Sequence, residues 1–176
     1  AFIRQEKLHS QISLAVPRKN VLGMEDIMSI LFINGSPNKN GNTVGLAKEL
    51  LAGKEYDTLH LVDYKIYSYG QEYADDQFME VVGKMKEADV VVLGSPLYWH
   101  SMSGAVRNLL DRSYGVVSEG TFRGKKLFFV FQGASPTKEQ LAAGDYTAGR
   151  YAGLYGFDYQ GMATNKKEAQ KLSGKL

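Results

Sequence analysis

The chain is 176 residues long, 44% apolar and 23% charged, with a formal net charge of +2 and no cysteine. This length suits one domain with a single sizeable core, and the absent thiols exclude disulfides, thiolate nucleophiles, cysteine-bound zinc and cysteine-held iron–sulfur clusters. Dispersed lysines and arginines at a small net charge give no argument for a nucleic-acid partner. No apolar run approaches the roughly 18 residues that cross a bilayer, and the scattered histidines His9, His60 and His100 lack metal-ligand spacing.

Residues 1–27 differ in character from the rest of the chain. Their longest apolar run, Ile12-Ser-Leu-Ala-Val16, is broken by a serine and stopped by Pro17, too short and too poorly flanked for a secretory signal. Met28 stands directly before the first convincing strand, so the compact domain is expected to cover 28–176. The first 27 residues are then an upstream leader, an arm packed on another subunit, or a plain surface extension.

From Met28 the chain alternates between strand and helix signals. Residues 29–34, Ser-Ile-Leu-Phe-Ile-Asn, are apolar on both faces and read as a strand. A polar loop, Gly35-Ser-Pro-Asn-Lys-Asn-Gly-Asn-Thr43, leads into a helix over 44–52, with Asn42 or Thr43 as its N-cap and Gly53 at its end. Alternation over 56–62 predicts a second strand, in which His60 is a strand residue rather than a ligand. The stretch 63–73 holds Tyr64, Tyr67, Tyr69 and Tyr73, a cluster suited to packing or a subunit contact, or to stacking on a flat ligand. Asp75 or Asp76 then caps a helix whose Phe78, Val81, Val82, Met85 and Ala88 fall at helical spacing as a core stripe.

Residues 89–95, Asp-Val-Val-Val-Leu-Gly-Ser, form the clearest buried strand, continuous in apolar residues as a central parallel strand should be. Next come a loop from Pro96 to Gly104 and a helix over 105–114, then a strand over 125–132 and a small-residue loop, Gly133-Ala-Ser-Pro136. A helix lies within 137–155, weakened by Gly144, Gly149 and Gly153; the last strand spans 157–163 and the last helix 166–172. Five strands alternating with five helices predict an α/β fold, a parallel sheet covered on both faces. A ligand on such a sheet sits beyond the carboxyl ends of the strands, where the winding direction reverses, and the loops 35–43, 95–104 and 132–136 should converge there.

The first of these loops collects main-chain N–H groups at the positive end of a helix and suits a phosphate, although its composition also fits an ordinary capped βα connection. It is not a Walker A loop: five residues separate Gly35 from Gly41, and Asn42 stands where the lysine belongs. Pro96, Leu97, Tyr98 and Trp99 offer an apolar, aromatic surface on a stiffened backbone. A planar ring with a phosphate tail satisfies both loops.

The segment 35–43, together with Gly94-Ser-Pro-Leu-Tyr-Trp-His-Ser-Met-Ser-Gly-Ala-Val-Arg-Asn-Leu-Leu-Asp-Arg112, resembles the flavodoxin-like NAD(P)H-dependent FMN reductase family over about 28–172. The resemblance implies a flavodoxin-like sandwich with strand order 2-1-3-4-5 and FMN as prosthetic group. Ser36, Asn38, Asn40, Asn42 and Thr43 would hold the FMN phosphate. Pro96, Leu97, Tyr98 and Trp99 would bracket the ring, and the main chain of Gln132, Gly133 and Ala134 would approach its polar edge. NADPH or NADH would supply a hydride to the flavin, and a small acceptor such as free flavin, a quinone, an azo or a nitro compound would then take the electrons.

Two departures stand out. Family members often carry arginine where this chain has Asn38, and the iron–sulfur branch carries cysteines where this chain reads Tyr67-Ser-Tyr-Gly-Gln-Glu-Tyr73. A flavin would therefore be the only redox centre. His100 stands where it would protonate a quinone-like acceptor or remain a plain loop histidine, Trp99 is either a ring contact or a buried anchor, and Asp111 and Arg112 read as structural or interfacial. Competing readings are a flavodoxin-type electron carrier, which usually needs the acidic surface this chain lacks, and a non-catalytic flavin-binding domain on the same scaffold. The expected setting is cytoplasmic, as a homodimer or homotetramer with the tyrosine-rich loop and the Tyr98–Trp99 pair at the interface.

Overall fold

The computed structural model describes residues 28–176, so the expected leader, 1–27, lies outside the described residues. Five parallel strands, β1 (Ile30–Asn34), β2 (Asp57–His60), β3 (Val90–Tyr98), β5 (Lys126–Gln132) and β6 (Asp158–Ala163), run in the order β2-β1-β3-β5-β6. Counted among the parallel strands alone, this is the expected 2-1-3-4-5. A two-residue strand that the sequence did not suggest, β4 (Ser101–Met102), pairs antiparallel with the end of β3.

Both faces of the sheet are covered because alternate residues of each central strand serve opposite layers. Ile30, Phe32, Val90, Val92, Phe128 and Val130 pack against α1 (Asn42–Leu50) and α5 (Lys166–Ser173). Leu31, Ile33, Val91, Leu93, Leu127 and Phe129 face the opposite layer, built from α2 (Phe78–Glu87), α3 (Gly104–Ser113) and α4 (Lys138–Tyr155). The expected stripe of α2, from Phe78 through Met85 to Ala88, is buried throughout.

Helix α4 runs unbroken through Gly144, Gly149 and Gly153, started by a capping box in which Thr137 and Gln140 exchange hydrogen bonds. Gly144 is a packing requirement: a Cβ there would stand 2.5 Å from the Phe131 ring.

Several boundaries differ from the sequence reading. Helix α1 starts at Asn42 with Gly41 as N-cap, so neither Asn42 nor Thr43 caps it. The second strand closes at His60 and turns into a 3-10 helix, Leu61–Asp63. Gln77 is the N-cap residue of α2, although the Asp76 carboxylate accepts the Phe78 N–H from just outside. Strand β3 runs on to Tyr98, through residues read as loop. Its register with β1 ends at Gly94, so the missing N–H of Pro96 costs no ladder bond on that side, and pairing with β5 and then β4 carries the strand forward.

Candidate functional site

Strand order reverses between β1 and β3, and the three loops expected to converge do meet at the carboxyl ends of β1, β3 and β5. Gly35 N donates to Gly94 O at 2.8 Å, and Ser103 Oγ donates to Gly35 O at 2.8 Å. Ser103 N in turn donates to the buried Ser95 Oγ at 2.9 Å. Only glycine fits at 35, since a Cβ there would lie 2.2 Å from Val106 Cγ2. The third loop joins through Gln132, whose Nε2 donates to Thr43 Oγ1 at 3.1 Å. Gly133 lies close enough to Leu97 that a Cβ would sit 3.1 Å from Leu97 Cβ.

The loop after β1 takes its shape from Asn34, which is fully buried. Its Oδ1 accepts the Ser36 N–H at 3.0 Å, and its Nδ2 donates to Ser36 O, Asn38 O and His60 Nδ1. Farther out, Ser36 Oγ accepts from Asn38 N and Asn38 Oδ1 accepts from Asn40 N, so the turns are closed by their own side chains. The helix end is left open. Gly41 has no side chain to cap it, and the N–H groups of Asn42, Thr43 and Val44 find no acceptor among the described residues. No acidic side chain stands in that first turn, and Asp63 is paired with Lys39 of the loop at 2.6 Å. Chemically, this helix terminus suits an anion and carries no competing charge.

Beside it, β3 and β4 form a hairpin that projects past the sheet. Trp99 and His100 make its two-residue turn with positive φ angles of 46° and 65°, a conformation for which hairpins normally use Asn-Gly. Both residues are exposed, Trp99 at 92%. The turn is tied to the start of α4 by a hydrogen bond between Gln140 and His100; Gln140 Oε1 is engaged by Thr137 N, so its Nε2 meets His100 Nδ1 and the proton of a neutral ring lies on Nε2.

The tyrosine-rich loop is anchored differently. Arg112 of α3 pairs with Asp76, donates to Tyr67 O and lies over the Phe78 ring, while Asn108 Nδ2 donates to Ile66 O. Both members of the ion pair are 14% exposed. Burial by itself would raise the Asp76 pKa, but the Arg112 hydrogen bond, the Phe78 and Tyr67 N–H groups and the Arg112 charge together hold it below the ordinary carboxylate range. Arg112 is structural, as its sequence context suggested.

Residues 28–147 match the family model for NADPH-dependent FMN reductase. The chain belongs to the NADPH-dependent FMN reductase family. An iron–sulfur flavoprotein of Archaeoglobus fulgidus is 38% identical over 99 residues, covering 49% of this chain and 49% of that protein. An NADPH azoreductase of Bacillus sp. (strain OY1-2) is 40% identical over 91 residues, covering 48% and 49%. The chain thus spans about half the length of the curated relatives it matches. In fold it is similar to the Trp repressor binding protein of Bacillus subtilis, with a TM-score of 0.66 and 17% identity over 81% of this chain and 98% of that one.

For a member of this family FMN is the group to test against the site, and the donor set fits it. Neutral hydroxyls and amides and three open main-chain N–H groups suit a phosphate. The buried Pro96, half-buried Leu97 and exposed Tyr98 make one continuous edge suited to a flat ring.

The residues named from sequence are brought together unevenly. Ser36, Asn38, Asn40 and Asn42 line the open loop, with the amide nitrogens of the three asparagines unpartnered among the described residues. Thr43 is buried and its oxygen is engaged by Gln132, so that side chain also locks the third loop to the first. Gly133 stands at the end of β5 beside Leu97, with Ala134 following it. Trp99 is not a buried anchor but the hairpin tip. Sequence reasoning missed Asn34 as the organiser of the loop. Its one visible signal was a polar residue closing an otherwise apolar strand.

Proposed function

We propose that the protein is an FMN-dependent oxidoreductase that draws electrons from NADPH or NADH and delivers them to a small acceptor, a free flavin, quinone, azo or nitro compound, working in the cytoplasm as a homodimer or homotetramer. The observation that carries this reading is the uncapped start of α1, with three N–H groups free of protein acceptors beside the proline-stiffened edge of β3. The names of the azoreductase and flavoprotein relatives agree with it.

FMN, when bound, supplies the two-electron chemistry, accepting a hydride from the nicotinamide and passing the electrons on. The chain's own residues bind and orient. The hydroxyl of Ser36, the amides of Asn38, Asn40 and Asn42 and the N–H groups of 42–44 hold the phosphate, with Thr43 in that first turn. Pro96, Leu97, Tyr98 and Trp99 flank the ring, and the main chain of Gln132, Gly133 and Ala134 lies along its polar edge. His100, with its Nδ1 accepting from Gln140, presents an Nε2–H that can hydrogen-bond the oxygen of an acceptor bound at the hairpin. No cysteine is available to bind a cluster, so the flavin acts alone.

The test is a visible spectrum of the protein loaded with FMN and freed of excess, followed by anaerobic addition of NADPH and then NADH. Retained flavin that bleaches with either nucleotide is the expected result. Bleaching by dithionite alone would mean an electron carrier, and failure to retain flavin would overturn the assignment of the loop.

A further inference from the structure

Asn34 does not hold the 35–43 loop alone. It is paired in register with His60, the last residue of β2, across two parallel strands. Its Nδ2 lies 3.0 Å from His60 Nδ1, nearer than to its main-chain acceptors, Ser36 O at 3.2 Å and Asn38 O at 3.4 Å. A neighbour fixes the direction of that bond. Ser36 N can only donate, and it donates to Asn34 Oδ1 at 3.0 Å, so the amide oxygen faces the loop and the amide nitrogen faces the imidazole. His60 Nδ1 must then accept, which makes the ring neutral with its proton on Nε2.

A protonated ring does not fit this arrangement. It would set an N–H on Nδ1 against the N–H of Asn34, and turning the Asn34 amide over to meet it would put a nitrogen against Ser36 N. Asn34 is fully buried, so water does not reach it to replace either bond. The charged groups beside the ring are engaged elsewhere. Asp63, Tyr64 and Glu80 line a cavity of about 300 Å³ next to His60; Asp63 is held by Lys39 at 2.6 Å, and Glu80 accepts from Gln77 Nε2 at 3.1 Å.

We propose that His60 is a positioning residue for the phosphate-binding loop. The neutral imidazole, acting through Asn34, keeps 35–43 in the shape that leaves the α1 N–H groups open, and its protonation releases that shape, so affinity for FMN falls with acid through this residue. The inference rests on the reading of 35–43 as the FMN phosphate site. It gives β2, which carries none of the residues expected to touch the flavin, a part in binding it.

Fluorescence titration of the full 176-residue chain with FMN and with riboflavin tests it. At about pH 8, His60→Leu binds FMN about tenfold more weakly and riboflavin almost as before, since the lost bond acts on the phosphate loop. His60→Asn, whose Oδ1 can stand where Nδ1 stood, stays within about twofold of the unaltered protein for FMN. At about pH 5.5 the FMN phosphate takes up a proton whichever protein is used, so the difference between proteins is what counts: the unaltered chain loses about fivefold more affinity than His60→Asn. In the flavin-free protein, the 15N shifts of the His60 ring place its proton on Nε2.

A ring protonated on Nδ1 instead, equal acid losses in the unaltered chain and His60→Asn, or an affinity that rises with acid would overturn the positioning role and leave the FMN site standing. Equal weakening of FMN and riboflavin in His60→Leu would do the same; should that variant not fold, His60→Asn against the unaltered chain decides. No FMN binding by the unaltered chain at about pH 8 would overturn the reading of the loop and this inference with it.

Discussion

The two loops that come after β1 and β2 reach the same end of the sheet and are built on opposite plans. The 35–43 loop is shaped by neutral groups from within, Asn34, Ser36 and Asn38, and leaves the N–H groups at the start of α1 open. The 64–77 loop is pinned instead: Lys65 N, Tyr67 N, Ser68 N and Gln77 N have acceptors inside it, and the Arg112–Asp76 pair clamps it to α3. A loop pinned in this way to itself and to α3 serves as support for its neighbours. An ordered loop with donors left open at a helix N-terminus has the groups an anion needs.

Breaking the clamp should have the largest effect on folding. Arg112→Ala strands the Asp76 carboxylate and is expected to cost about 3 kcal/mol of stability, read by urea denaturation. FMN affinity of the folded protein should stay within about twofold, because the binding loop is held separately. Asn34→Ala should do the reverse. It leaves buried main-chain groups unpaired, for about 2 kcal/mol, and that loss should appear as roughly 30-fold weaker FMN binding in a fluorescence titration, with riboflavin, which lacks the phosphate, nearly unaffected.

Gly41→Asp would place a carboxylate on the open N–H groups. Helix stability should rise by a few tenths of a kcal/mol while FMN binding weakens about tenfold, opposite signs that a merely structural role for position 41 would not produce. The smallest effect is proton-linked. Because the Asp76 pKa is depressed in the folded state, its contribution is fully present above the unfolded value of about 3.9 and is lost as pH falls through the lower folded value. Acid titration of stability should therefore be steeper for the unaltered protein than for Asp76→Asn below about pH 4.

The features legible in the sequence share a cause. Strands β1, β3 and β5 are buried on both faces and must be apolar almost throughout, so they announce themselves, and their order accords with the alternation with helices. What escaped was fixed by contacts distant in sequence or by geometry a residue type does not advertise. The clamp joins positions 36 apart in the chain, and nothing local marks Arg112 as its partner. The β3–β4 hairpin carries Trp-His where Asn-Gly would have signalled it. Gly41 is easily passed over as a cap because Asn42 and Thr43 beside it are the better formers, and having glycine in place of a capping side chain is what leaves the helix end free.

The hairpin tip has a practical consequence for measuring stability and binding. Trp99 is the chain's single tryptophan, set among eleven tyrosines, and its indole is already in water. Its emission maximum should sit near that of the unfolded chain, so a wavelength shift is nearly blind to unfolding and circular dichroism is the probe of choice. The same position makes the indole a built-in antenna: any chromophore seated along β3 lies near it, and its quenching reports occupancy without a label.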